Sequence, residues 1–368
     1  MPFTYSGGTV ISGGTIALGS VNANDAGLGT GPVTLDGGTL SLYNWNGSNL
    51  PGSGTFSNSI IVQSNGTLLA AQRHVISSTV SGGGNLTLNI PYIRTDITGD
   101  WSQFFGQLNV ITSNSSMTDL RLASANGMPQ TEINLGNNTE AYFTGIVSAN
   151  GTSINLGALS GVANTILKGG PTSGRVLTWN VGGRGTDATF AGNITEQGAS
   201  GNTTNINKTG VGAWTLSGAL SYAGNTTVTA GTLVLAGTLS NNATLEVLNG
   251  GTFTLAGGTA TVAQAQVDNG GALNGNGTLN GPLVNNGVVG ARAGQTLVFN
   301  GNVTNNGYMY FTGGTASSNT GTFTNNGILD LITGAQTLPA NFVNHGTVLF
   351  SGSAQILQSW YAGGQFNV

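Results

Sequence analysis

The residues best equipped for chemistry lie between Ile90 and Gly106. Here Tyr92, Arg94, Asp96, Asp100, Trp101, Phe104 and Phe105 form the densest charged and aromatic stretch of the chain. Two nearby carboxylates beside an arginine and an indole are the parts of a sugar site. One acid can protonate a leaving oxygen, the second can act as base or nucleophile, and the ring offers a stacking surface. Arg73-His74 and the Asp119/Arg121 pair fall one coil to either side if the chain coils about every 20–25 residues. The plainer reading has Asp96 and Asp100 making Asx-turns and Trp101 packing over the loop. Arg94, Asp96, Asp100 and Trp101 are therefore candidates for glycan binding. No catalytic residue is assigned.

Elsewhere the templates of enzyme chemistry are missing. The only histidines are His74 and His345. The sequence holds no phosphate-binding Gly-Lys-Ser/Thr loop, no Gly-x-Ser-x-Gly elbow and no His-Glu-x-x-His pair. With no cysteine, disulfides and thiolate metal sites are excluded. Gly182-Gly183-Arg184-Gly185-Thr186-Asp187 matches the first part of a calcium-binding nonapeptide. It occurs once, Thr189 stands where an apolar residue is needed, and tandem copies complete each calcium shell. It reads as a glycine turn, and no cofactor or metal is expected. Trp45, Trp179, Trp214 and Trp360 are isolated and read as packing residues.

Composition points away from helices and away from nucleic acid. Only 8 Lys+Arg and 12 Asp+Glu occur in 368 residues, against roughly a quarter charged in an ordinary domain. Eight scattered cations cannot neutralise a phosphate backbone. Glycine is abundant at 63 residues, with many Asn and Thr, while strong helix formers are scarce. The chain is 38% hydrophobic and nearly neutral, so it has apolar surface to bury, unlike a disordered segment. No apolar run is long enough for a transmembrane helix. Met1-Pro2-Phe3-Thr4-Tyr5 lacks the charged and apolar regions of a signal peptide.

Repeats supply the architecture. A marker glycine recurs at Gly250, Gly270, Gly287, Gly307, Gly327 and Gly346, preceded by Asn or, at the last copy, His345. Leu283, Val303, Phe323 and Phe342 each stand four residues ahead of a marker. Runs such as Thr296-Leu297-Val298-Phe299 alternate as short strands do. A fixed step without helix, about 20 residues long, fits the coil of a parallel β-helix, in which each strand pairs with its equivalent one coil on. The pattern predicts that Asn286, Asn306 and Asn326 stack as an amide ladder. It also predicts that Gly287, Gly307 and Gly327 take positive φ at the corners.

Tyr5-Ser6-Gly7-Gly8-Thr9-Val10 matches Tyr222-Ala223-Gly224-Asn225-Thr226-Thr227-Val228. Upstream of the second copy lies Lys208-Thr209-Gly210-Val211-Gly212-Ala213-Trp214-Thr215-Leu216-Ser217-Gly218. This string resembles the autotransporter-associated β-strand repeat. The resemblance implies a right-handed parallel β-helix from the passenger region of a bacterial surface or secreted protein, and no particular activity. The expectation is an excised passenger segment.

The reading is thus an all-β solenoid with coils of about 20 residues, continuous over 1–368. Looser coils and a loop insertion are expected over about 70–200, and regular coils over about 208–350. The expected role is an extracellular stalk, adhesin or display passenger. A polysaccharide-active helix with a groove near 90–121 is the alternative. The partners expected are a neutral polysaccharide or cell-surface glycans, and further copies joined end to end, through Tyr5 to Val10 at one end and Trp360 to Val368 at the other.

Overall fold

The computed structural model describes residues 5–18, 28–42, 55–145, 151–169, 174–196, 201–312, 315–336, 341–350 and 354–356. Trp45 and the terminal stretch from Trp360 lie outside them. The described residues hold no α-helix. They form short strands that pair in parallel with the strand one coil away. This is the all-β parallel β-helix. The chain divides into two compact units, Met1–Thr204 and Asn205–Val368.

In the second unit, one interior column runs Leu233, Phe253, Leu273, Val289, Met309, Leu329 and Val348, in direct register. All seven are buried. Burial alternates along each strand because successive side chains point to opposite faces of a strand. Burying each such side chain contributes about 1.5–3 kcal/mol. Leu283, Val303, Phe323 and Phe342 form a second column, and the sequence step from each to the next is nearly constant. Trp214 is buried within this unit.

The corner after this column carries two amide ladders. On the outside, Asn306 donates to Asn286 and Asn326 donates to Asn306, each at 2.9 Å, as the repeat pattern predicts. One residue earlier, a second ladder runs through the interior. Asn285, Asn305 and Asn325 are fully buried, and each donates to the next at 2.7, 2.8 and 2.7 Å, ending on Asn344. Their second amide hydrogens go to the carbonyls of Tyr308, Ile328 and Thr347. The inner ladder keeps Asn344 in the last coil, where the outer position becomes His345.

The corner glycines correct the sequence reading. Gly287, Gly307 and Gly327 are absent from the positive-φ residues, so left-handed backbone is not why they are glycine. The reason is close approach. A Cβ on Gly307 would sit 2.3 Å from the Gly287 carbonyl oxygen, and one on Gly327 would sit 2.1 Å from that of Gly307. Positive φ does occur at Gly250 and Gly270, in corners with a second glycine. Gly271, rather than Gly270, stacks beneath Gly287, so this coil is shorter still than the step from the Gly270 marker to the Gly287 marker. Gly307→Ala is expected to cost about 1–3 kcal/mol by forcing the stacked corners apart. Chemical denaturation would reveal it, and an unchanged midpoint would show that the corners can separate freely.

In the first unit, Leu40, Leu68, Leu88, Val110 and Leu135 stack in register and are buried. Their spacing is uneven, longest from Leu40 to Leu68 and shortest from Leu68 to Leu88. The stretch 90–106, expected to be an inserted loop, occupies one ordinary coil. Arg94–Ile97 is a strand whose Thr95 and Ile97 face the interior. Trp101 and Phe104 also enter the core, so the rings that would have capped a loop fill the coil instead. Trp179 is buried in this unit too, and its indole donates to the Lys168 carbonyl.

Candidate functional site

Arg94, Asp96, Asp119, Arg121 and Glu140 of the first unit gather on the outward side of three stacked strands, Arg94–Ile97, Thr118–Leu122 and Thr139–Phe143. Each carries a polar–inward–polar triplet: Arg94-Thr95-Asp96, Asp119-Leu120-Arg121 and Glu140-Ala141-Tyr142. Register aligns Arg94 with Asp119 and Glu140, and Asp96 with Arg121 and Tyr142. Unlike charges thus meet both along and across the first two coils.

The geometry is a closed array. Arg94 Nε lies 3.4 Å from Asp96, and Arg121 lies 3.9 Å from Asp96 on its other side. Arg121 grips Asp119 through Nε at 2.9 Å and Nη2 at 2.5 Å. The Tyr142 hydroxyl donates to the same Asp119 oxygen at 2.8 Å, while the guanidinium lies over the Tyr142 ring. Lys168 on the next strand holds Glu140 at 2.6 and 2.7 Å.

Burial sets the protonation chemistry. Loss of solvent raises the Asp96 carboxyl above its usual value, and the pull of Arg94 and Arg121 only partly opposes this. Glu140 is raised by the same cause, against Lys168. Burial and the Asp119 carboxylate push the Tyr142 phenol well above its ordinary range. A carboxyl raised on folding favours the native state most when protonated. Its contribution is complete below the unfolded value and is lost as pH rises through the folded one. Wild type should therefore gain stability relative to an Asp96→Asn/Glu140→Gln variant as pH falls from 7 toward 4. Calorimetric midpoints at several pH values test this, and a difference that is flat or grows with pH would contradict it.

The sequence candidates separate. Arg94 and Asp96 are paired, and Asp119/Arg121 and His74 lie one coil to either side of their strand. Asp100 sits on the following turn, where its carboxylate accepts from the Ser102 N–H at 2.8 Å and is held below the usual range by that bond. Trp101 is fully buried, edge-on to Phe104. It offers no face to a sugar. Sequence reasoning does not reach Glu140, Tyr142 and Lys168, although the recurring triplet pattern could have found the first two. The Gly182–Asp187 segment turns on itself through Gly185 N to Gly182 O, and Arg184 reaches the carbonyls of Phe105 and Gly106. Among the described residues no three acidic or histidine side chains converge as metal ligands.

The second unit holds the other unusual group, a lysine in the core. Lys208 is buried, and its ammonium donates to the carbonyls of Thr209, Gly210 and Ala230 at 2.6, 2.8 and 3.2 Å. It ties a turn to the next coil, where Gly231 takes φ +64°. Farther along, the Tyr222 hydroxyl bonds Thr226 Oγ1 at 2.6 Å in the interior. The same bond joins Tyr5 to Thr9 at 2.8 Å in the first unit. Lys-x-Gly and Tyr-x-Gly-x-Thr thus have physical causes: a cationic clip on turn carbonyls and a hydroxyl clasp across a corner.

The model of the passenger-associated-transport-repeat family matches residues 3–18 and 206–235, the two segments that carry the clasp. The chain thus carries two segments similar to that repeat. No curated protein matches it. The contacts of Lys208, Tyr222 and Thr226 fall within the second matched segment.

Proposed function

We propose that this passenger-type β-helix is a structural stalk at the bacterial surface or outside the cell, holding an adhesive or displayed segment away from its origin. The observation that carries this reading is that polar chemistry is turned toward neighbouring coils. The Asn ladder, Lys208 and the Arg94–Lys168 array all do this. Each converts a polar group into a tie between successive coils, as a spacer under tension needs. Polysaccharide cleavage near 90–121 is the weaker reading. It needs an acid and a base facing a bond, yet Asp96, Asp119 and Glu140 each face a cation.

The test displays the chain on a bacterial surface with a fluorescent domain at its far end and a membrane dye below. Energy transfer should fall as whole coils are added. It should rise when residues 287–306 are excised, a deletion that joins Asn286 to Gly307 in unchanged register. Simultaneous neutralisation of Arg94, Asp96, Asp119 and Arg121 should leave the coil dependence in place. Transfer that ignores coil number would overturn the stalk.

A further inference from the structure

The second unit presents an outward face that the stalk role does not use. Val288, Tyr308 and Ile328 stack in one column, with Gly290, Tyr310, Asp330 and Leu349 in the next. Val288, Ile328 and Leu349 are all more than a third exposed. The rings of Tyr308 and Tyr310 lie 5.7 Å apart with only 25° between their planes. Two features fix them. The Tyr308 hydroxyl donates to the largely buried Asp330 carboxylate at 2.9 Å. The Tyr310 ring leans over Gly290, where a Cβ would meet it at 2.5 Å.

We propose that this face is a binding platform for a neutral polysaccharide, with Tyr308 and Tyr310 as the stacking surface. The two rings stack on one another, so the pair offers an outer ring face to the apolar C–H face of a pyranose, and the Tyr310 hydroxyl rim matches sugar hydroxyls. Fixing both rings before binding lowers the ordering cost of a weak, repeated contact. Charge argues for a neutral ligand. The charged side chains of residues 205–368 are Lys208, Glu246, Asp268, Arg292 and Asp330. Lys208 is buried and Asp330 is occupied by Tyr308. A polyanion finds no cation cluster here, and a polycation finds no acidic one. The proposal stands apart from the stalk reading, since a stalk needs no ligand.

Affinity electrophoresis tests it on the whole chain, in gels containing hydroxyethyl cellulose, xylan, galactomannan or polygalacturonate, and in a gel with none. Retardation is expected in at least one of the three neutral gels. Tyr310→Ala should weaken it at least tenfold, and Gly290→Ala, which displaces the ring without removing it, should weaken it as well. Tyr310→Trp should retain it, as should Tyr92→Ala, which removes an exposed tyrosine of the other unit. The Trp variant and thermal melts separate loss of binding from loss of fold. Mobility unchanged in every neutral gel would overturn the proposal. So would retardation only by polygalacturonate, or retardation that Tyr310→Ala and Gly290→Ala leave intact. Concentration-dependent retardation without polysaccharide would overturn it too, and assign the face to a second copy.

Discussion

Asn305→Leu is expected to destabilise the protein by about 3 kcal/mol or more, whereas Asn306→Ala, one residue away, should change it by less than about 0.5 kcal/mol. The difference follows from burial. Asn305 accepts from Asn285, donates to Asn325 and donates again to the Ile328 carbonyl, all in the interior. Leucine leaves the Asn285 amide without its acceptor and the Asn325 oxygen without its donor. Each stranded buried group costs about 1–3 kcal/mol. Asn306 makes the same kind of amide bond to Asn286 at the exposed corner, where water replaces what is lost. Urea denaturation of the two variants reads the contrast. Equal midpoints would mean that the inner ladder is wet, and the corner would then need another explanation.

Lys208→Met is the second large effect, expected at about 3–5 kcal/mol. Methionine preserves much of the volume but removes all three ammonium bonds, so carbonyls of Thr209, Gly210 and Ala230 lose a donor in the core. Burying a cation would ordinarily be costly, and the ring of carbonyls offsets that cost. Lys208→Arg should also destabilise, because a planar guanidinium cannot converge on three carbonyls arranged for an ammonium. Thermal melts of both variants decide this. Wild-type stability in Lys208→Met would mean that the turn is held without the clip.

Much of this fold is legible because a solenoid writes its geometry along the chain. The recurring marker step is the pairing register itself, so Leu283, Val303, Phe323 and Phe342 can be stacked from spacing alone. The physical role of each corner residue is harder to read. In Asn-Asn-Gly either asparagine can form a ladder, and only the direction of its side chain distinguishes the wet position from the dry one. Spacing assigns the glycines to backbone conformation, whereas the constraint is contact with the coil below. No single-coil pattern can reveal that contact. At the charged site, Arg94 and Asp96 are visible because they are adjacent. Glu140, Tyr142 and Lys168 join them only through stacking of coils of uneven length, so no fixed period finds them. Trp101 looks like a loop residue because residues 90–106 contain more charge than their neighbours. Charge on the outward side of a strand resembles a loop until the inward Thr95 and Ile97 are recognised.

The central claim is that successive coils stack in parallel with equivalent residues in register. Val284, Thr304 and Thr324 are register partners on the outward side of one column. The chain has no native cysteine, so nitroxide labels can be placed on Val284→Cys, Thr304→Cys and Thr324→Cys alone. Stacked about 4.8 Å apart, the three labels should exchange spins and collapse the triple variant's spectrum toward a single narrowed line. Each singly labelled protein should keep three resolved lines. A triple-label spectrum equal to the sum of the three singles would contradict the coil register, and with it the ladder and the stalk.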